Sequence, residues 1–252
     1  MEPVVGEVLT SSYKLNIIFI SYAISFLGAF FALQASRWMF REDGTLNWHM
    51  TICASVALGG IGIWAMHFMG MLAYRVNVPV SYDPVLTAVS LVAAIVISGI
   101  ALFLTGGRSR FKLSGWMFGS VLAGAGACVM HYLGMYAMNL RAIMTLDPTK
   151  VGISVAIAVS AAAAALWLAF NVKRVSLQIA SSLVMALAVC SMHYVGMSAA
   201  TMICTSEAPA LSWAISQRNL DVWLVVIVAA VSFYLFWVLS SRFVDTLAKT
   251  PA

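Results

Sequence analysis

Seven long apolar segments dominate the sequence and limit the folds that this chain can adopt. They cover roughly residues 14–36, 48–74, 84–105, 113–140, 151–171, 175–203 and 219–241. A helix of about 20 apolar residues crosses the hydrocarbon core of a bilayer. None of the seven segments carries Asp, Glu, Lys or Arg near its middle. The sequence therefore predicts an all-α integral membrane protein with seven transmembrane helices, surrounded by a lipid bilayer.

The composition supports this class and excludes others. Only 9% of the 252 residues are charged, against roughly 25% in soluble domains. No basic run is interleaved with aromatic residues, so nucleic acid is not an expected partner. The first apolar segment is too long for a signal peptide and has no small-residue cleavage site after a short apolar core. We therefore interpret it as a retained membrane helix.

Basic residues are divided unequally between the two sides of the predicted bundle. Nine lie in the first, third and fifth loops and the C-terminal tail: Arg37, Arg41, Arg108, Arg110, Lys112, Lys173, Arg174, Arg242 and Lys249. Five lie on the other side: Lys14, Arg75, Arg141, Lys150 and Arg218. Because Lys and Arg accumulate in cytoplasmic loops, the N-terminus is predicted to lie outside and the C-terminus in the cytoplasm.

A hexapeptide with the pattern M-H-[FY]-x-G-M occurs three times, at residues 66–71, 130–135 and 192–197. Its histidines, His67, His131 and His193, are 64 and 62 residues apart, and the chain contains only four histidines. They fall on the second, fourth and sixth predicted helices, which cross the membrane in the same direction. The three histidines are therefore expected at a similar depth, in the outer part of each helix.

The repeat extends beyond the hexapeptide. Asp83-Pro84 and Asp147-Pro148 follow the first two copies, each Asp 16 residues after its histidine. Asp followed by Pro is typical of a helix N-cap and first turn. The third copy departs from this pattern, because Glu207 and Pro209 lie in a longer loop there.

The repeating unit is therefore a pair of helices, with one extra helix at the N-terminus. The three units cover about residues 48–105, 113–171 and 175–241. Two spanning helices return the chain to the same side, so the copies are parallel repeats, related by an axis along the membrane normal. Copies arranged around one axis would bring the histidines together, whereas copies placed side by side would leave three separate sites. The sequence is compatible with both arrangements.

The spacing within the hexapeptide ranks the candidate ligands. Residues i and i+4 of a helix share a face, so each histidine is expected to point with the methionine four residues later, namely Met71, Met135 and Met197. The methionines before the histidines lie about 100° round the helix and are Met66, Met130 and Met192. Cys128 and Cys190 lie three residues before their histidines, on the histidine face.

Imidazole and thioether groups together favour a borderline or soft metal. Thioethers favour Cu(I), and imidazole suits copper, zinc and iron, whereas a hard ion would require carboxylates. An isolated intramembrane histidine is usually a packed residue, but three equivalent ones indicate a site. The methionines fit packing as well as ligation, and packing is favoured for the cysteines. Tyr132 and Tyr194 are interpreted as packing residues with a hydroxyl hydrogen bond near the site.

The motif resembles the MHYT domain of bacterial integral membrane sensors over about residues 10–245. The resemblance implies a bacterial inner-membrane sensor that detects O2, CO or NO through bound copper. It also implies an attached cytoplasmic GGDEF or EAL module, in the same or another chain, that makes or degrades cyclic di-GMP. The implied ligands are Met66, His67, Met130, His131, Met192 and His193, accompanied by Met71, Met135 and Met197. The family's threonine is replaced by Met69, Leu133 and Val195.

The sequence thus predicts a sensory domain without catalytic activity of its own. Residues 1–12 form an outer N-terminus, 13–242 the seven-helix domain and 243–252 a cytoplasmic tail or linker. The sequence is compatible with a homodimer. Copper is the expected cofactor ahead of haem or zinc. The alternative functions are a copper- or haem-dependent redox enzyme or oxidase assembly factor and, third, a metal transporter.

Overall fold

Seven long helices form the molecule in a computed structural model that describes residues 4–41, 43–106, 111–206 and 213–248. All seven are long and apolar enough to span a membrane. They are α1 (Leu15–Ser36), α2 (Trp48–Ala73), α3 (Pro84–Gly106), α4 (Leu113–Tyr136), α5 (Pro148–Asn171), α6 (Val175–Ser198) and α7 (Gln217–Ala248). The predicted seven-helix membrane class is confirmed. Glu207 and Pro209, expected in the loop before α7, lie outside the described residues.

The predicted Asp-Pro caps are present. Asp83 Oδ1 accepts hydrogen bonds from the backbone N–H groups of Val85 and Leu86, at 2.7 and 3.0 Å, and so begins α3. Asp147 caps α5 in the same way, accepting from Thr149 N at 2.9 Å. A cap satisfies N–H groups that the first turn of a helix leaves without partners.

Helices α1 to α6 form a closed ring in chain order, because α1 packs against both α2 and α6. Helix α7 packs on the outside of this ring, against α1 and α2. The extra N-terminal helix expected from the sequence therefore takes a place within the ring. The second helix of the third sequence repeat, α7, is the helix that the ring leaves outside.

A recurring serine shows that α1, α3 and α5 hold equivalent places. Ser21, Ser90 and Ser154 each occupy the seventh position of their helix. Each hydroxyl donates to the carbonyl three residues earlier, at 2.7, 2.8 and 2.8 Å. The ring is therefore built from the helix pairs α1–α2, α3–α4 and α5–α6, and the second helix of each pair carries a motif histidine.

Short antiparallel strands close each of these pairs. Each ladder joins the strand before the first helix of a pair to the strand after its second helix. The paired strands are β1 (Ser11–Tyr13) with β2 (Tyr74–Val76), β3 (Ser81–Tyr82) with β4 (Met138–Asn139), and β5 (Ala142–Leu146) with β6 (Ala200–Cys204). A further strand, β7 (Ile215–Ser216), pairs with β3. The ladders all lie at the end of the bundle that carries the motifs.

The strands explain where the structure differs from the predicted segments. Segments four and six were expected to continue to residues 140 and 203, but α4 ends at Tyr136 and α6 at Ser198. The residues that follow are apolar, but their backbone groups pair in the β3–β4 and β5–β6 ladders. Apolar composition alone does not distinguish a helix from such a strand. Helix α7, the last helix of the chain, continues to Ala248, whereas the sequence analysis placed the end of the seven-helix domain at residue 242.

Helix α2 is the most enclosed of the seven. About 89% of its spanning window is buried, against 22–39% for the other helices. Its middle, Val56–Ala65, is π-helical, and glycines there allow close contact with two neighbours. A Cβ at Gly59 would overlap the carbonyl of Ala94 in α3, and the Ser25 hydroxyl of α1 donates to Gly62 O at 3.0 Å.

Candidate metal centre

The three motif histidines meet at the centre of the ring. His67 Nδ1 lies 3.0 Å from the Nδ1 atoms of both His131 and His193. The ring centroids are separated by 4.9, 5.0 and 5.1 Å, and the rings are nearly perpendicular to one another. Of the two arrangements that the sequence allowed, the structure has the shared site.

Each imidazole is held from outside by the aromatic residue that follows it in the chain. His67 packs edge-on against Phe68, with ring centroids 4.9 Å apart. The equivalent distances are 4.9 Å from His131 to Tyr132 and 4.7 Å from His193 to Tyr194. The variable [FY] position of the motif therefore supplies a ring in all three copies.

The motif glycines receive the histidines in a cyclic order. A Cβ at Gly134 of α4 would overlap His67 Nε2 of α2. In the same way, Gly196 of α6 receives His131 of α4, and Gly70 of α2 receives His193 of α6. Glycines generally allow close approach between membrane helices. The structure shows that each glycine accommodates the imidazole of the preceding histidine helix, and His193 of α6 returns to Gly70 of α2, which closes the threefold arrangement.

The histidines are fully enclosed and incompletely hydrogen-bonded. All three are at most 1% exposed, and none of their Nε2 atoms has a hydrogen-bond partner among the described residues. With Nε2 protonated, a neutral imidazole directs the Nδ1 lone pair toward the centre. Three lone pairs then point at one another, and a single cation satisfies all of them at once.

The donor set fits a small metal ion. Two imidazole nitrogens on one tetrahedral ion at about 2.0 Å lie roughly 3.3 Å apart, close to the 3.0 Å separations between Nδ1 atoms. Among the described His, Cys, Asp and Glu side chains, these three histidines form the group that could hold one ion. Cys128 and Cys190 are buried free thiols outside that group.

The remaining predicted site residues lie on the three helices that carry the triad. The six motif methionines are all buried, at 2% exposure or less: Met66, Met71, Met130, Met135, Met192 and Met197. Met192 packs with Cys128 and Ala158. The hydroxyl of Tyr132 bonds Ser154 Oγ at 2.8 Å, and that of Tyr194 bonds Ser21 Oγ at 2.9 Å. These two hydroxyls therefore join α4 to α5 and α6 to α1.

The sequence analysis did not identify the serines whose hydroxyls form hydrogen bonds with these tyrosines. Ser154 and Ser90 lie at the same distance after Asp147 and Asp83, and Ser21 lies at that distance after Lys14. That common spacing was the available signal. In the first copy the tyrosine position is Phe68, which has no hydroxyl. There Trp64 contacts the equivalent serine instead, and its Nε1 donates to Ser90 Oγ at 3.0 Å.

The sequence also matches a protein family, MHYT, described as a bacterial signalling protein N-terminal repeat, at residues 60–117, 124–182 and 187–248. This chain belongs to the MHYT family. Each MHYT repeat carries one histidine of the triad close to its start. The chain is accordingly a multi-pass bacterial membrane protein and a signalling sensor domain. The family match is to MHYT repeats and includes no catalytic domain.

Several relatives of this MHYT chain are much longer proteins. The bifunctional diguanylate cyclase/cyclic di-GMP phosphodiesterase MucR of Pseudomonas aeruginosa is 36% identical over 230 residues, 88% of this chain and 33% of that protein. The signaling protein YkoW of Bacillus subtilis is 32% identical over 201 residues, 75% of this chain and 24% of its own. The cyclic di-GMP phosphodiesterase NbdA of P. aeruginosa is 29% identical over 220 residues, 82% and 27% of the two chains.

The MHYT chain spans a third or less of the length of these relatives. No solved structure matches it.

Proposed function

We propose that His67, His131 and His193 hold one copper ion, and that this site senses a diatomic gas or the redox state at the membrane. The observation that carries the proposal is the convergence of three Nδ1 atoms in a closed cage. When bound, copper would supply a redox couple and a coordination position for O2, CO or NO. The motif methionines are the proposed accompanying thioether donors.

The charge balance of the site favours copper(I). The three histidines are neutral ligands, and no carboxylate belongs to the group that could hold the ion. The cost of burying an ion rises steeply with its charge, so a monovalent ion is less costly here than Zn²⁺. Haem is disfavoured because imidazoles with centroids about 5 Å apart leave no slot for a porphyrin.

The chain's own contacts explain how the site would signal. Each imidazole fills the space above a glycine on the next histidine helix. A ring that moves must therefore move that helix, because close-packed interiors do not absorb such shifts. Helix α2 contributes His67 and also contacts α7. A displacement of α2 would thus reach the C-terminal helix and the proposed cyclic di-GMP module beyond it.

This proposal includes an orientation and a domain boundary. The distribution of Lys and Arg supports an outer N-terminus and a cytoplasmic C-terminus, with the sensor body within residues 13–242. The relatives MucR and NbdA are named for cyclic di-GMP enzymes, which act on a cytoplasmic nucleotide. Reporter fusions after residue 76 and after α7 test this orientation. A reporter fused after residue 76 that is active in the cytoplasm would contradict the outer location of the N-terminus.

Metal analysis of single-histidine variants tests the shared site. Purified protein is expected to contain one copper per chain, and any one of His67→Ala, His131→Ala or His193→Ala should remove at least about 90% of it. His49→Ala is the matched control, because His49 lies outside the triad and bonds Tyr234 instead. Loss of a third of the metal in each variant would show separate sites. Copper no higher in the wild type than in the triple variant would exclude the metal site.

Carbon monoxide tests the gas-binding part separately. The copper(I) protein is expected to show a C–O stretching band in the infrared that is absent from His131→Ala. A copper-loaded wild type without such a band would exclude gas binding while leaving the metal site intact. A third function, metal transport, requires polar groups along a path from the triad. The structure instead has an apolar cavity there.

A further inference from the structure

A small, partly open cavity lies next to the triad, on the side away from the β-ladders. Its wall includes Ile63, Ala127 and Val189, and each of these residues lies four positions before a motif histidine. Four residues correspond to a rise of about 6 Å along a helix. All six ring helices contribute to the wall. The cavity therefore lies at the centre of the ring, one helical turn from the histidines.

The wall of the cavity is almost entirely apolar. Alanine is the commonest lining residue, and the hydroxyls of Ser25 and Ser98 are the polar side-chain groups. The Ser25 hydroxyl already donates to Gly62 O at 3.0 Å. An ordered water in a protein interior needs two to four polar partners. A cavity of this kind is therefore expected to stay dry and to accept an apolar guest.

The volume limits the guest to a few atoms. The cavity measures about 40 Å³, whereas one water molecule needs roughly 10–15 Å³ by the same measure. Benzene binds in a cavity of about 150 Å³, so an aromatic ring or an acyl chain is too large. The remaining candidates are molecules of about two or three heavy atoms.

Part of the wall reaches toward the lipid-facing surface of α5. Ala161, Ala162 and Ala165 line the cavity and are half-buried. Small apolar gases are more soluble in hydrocarbon than in water, so a route past α5 would deliver them from the bilayer. A route from the aqueous phase at the ladder end would have to pass the β-ladders and the triad itself.

We propose that this cavity is a docking site for an apolar diatomic gas, which enters past α5 and is held one helical turn from the histidines. The sensory meaning of this site rests on the proposed function. Occupancy by a gas does not, because it depends on the shape and polarity of the wall and needs no metal.

Xenon is a suitable probe, because it binds dry apolar cavities of this type. Crystals of the purified protein under xenon pressure are expected to show an anomalous peak between Ala127, Ala158 and Met192. Ala162→Leu adds three carbons to the wall and should lower the peak at least fivefold. Ala164→Leu is the matched control on α5, because Ala164 is exposed and does not line the cavity.

A second variant tests the opposite change. Leu166 lines the cavity and is 1% exposed, so Leu166→Ala should enlarge the space and strengthen the xenon peak. No xenon peak in the wild type, or equal peaks in Ala162→Leu and Ala164→Leu, would overturn the docking site. Copper measured on the same samples keeps the two proposals distinct. Xenon bound without copper would refute only the metal site, and copper without xenon only the docking site.

Discussion

At the scale of single residues, the site depends on glycines, because each imidazole occupies the space that a larger side chain would fill. Each motif histidine lies against a glycine of the next histidine helix. The position of each imidazole is therefore set both by that glycine and by the aromatic residue packed against it. The fit is tight on both sides, because the histidines are at most 1% exposed. Small changes at these glycines should therefore act on the metal before they act on the fold.

We expect Gly134→Ala to lower metal affinity by roughly 10- to 100-fold, the range found when residues that orient metal ligands are changed. The new Cβ would overlap His67 Nε2 and displace that ring. Gly152→Ala is the control, because nothing lies within 4 Å of its Cβ position. Competition titrations with a copper chelator measure the effect. Equal affinities in the two variants would contradict the role assigned to the glycine.

Removing the Tyr194 hydroxyl should affect stability but not the metal. Tyr194→Phe loses the 2.9 Å hydrogen bond to Ser21, a loss of about 1 kcal/mol within a membrane bundle. Phe68 already occupies the equivalent position in the first copy, so copper content should be unchanged. Unfolding in mixed SDS micelles measures the difference against Tyr136→Phe, an exposed tyrosine. If both variants unfold alike, the α6–α1 bond does not stabilise the ring.

At the scale of elements, α2 differs from the other two histidine helices. Its π-helical middle and its glycines bring its backbone close to α1 and α3, and α7 covers part of its outer face. The π-helix is rare in proteins, and where single π-turns interrupt an α-helix they frequently lie at functional sites. Helix α2 is therefore the element that joins the triad, the ring and the C-terminal helix.

Two adjacent glycines of α2 should respond in opposite ways to the same substitution. Gly59→Ala places a Cβ on the Ala94 carbonyl, and such overpacking costs about 1–3 kcal/mol. Gly60→Ala meets its nearest neighbours at 3.6 Å, on Ile95, which is ordinary contact. It should be neutral or slightly stabilising. Thermal unfolding in detergent checks both, and a larger loss in Gly60→Ala would contradict the α2–α3 packing.

At the scale of the whole molecule, a six-helix ring encloses the site while one helix lies outside it. Helix α7 touches the ring through α1 and α2, and His49 Nε2 of α2 lies 2.9 Å from the Tyr234 hydroxyl of α7. The contact is near the start of α2, far along the helix from His67. It is a point where a movement of α2 would be transmitted to the end of the chain.

We expect Tyr234→Phe to loosen α7 and leave the triad intact. The variant loses the hydrogen bond to His49, so amide hydrogen exchange in α7 should become faster while copper content stays at the wild-type level. Mass spectrometry of exchange in lipid nanodiscs measures this, with Tyr136→Phe as the control. Unchanged exchange in α7 would show that the contact does not hold the helix.

The sequence alone determined the seven helices, the equal depth of the three histidines and the chemistry of the donors. Those features follow from apolar length, motif spacing and residue type. Only the tertiary structure decided that the histidines share one site, because convergence requires a closed ring. Helix α1, which has no motif, closes it by packing between α6 and α2. Its serine at the seventh position was visible in the sequence, but the contact with Tyr194 spans 173 residues.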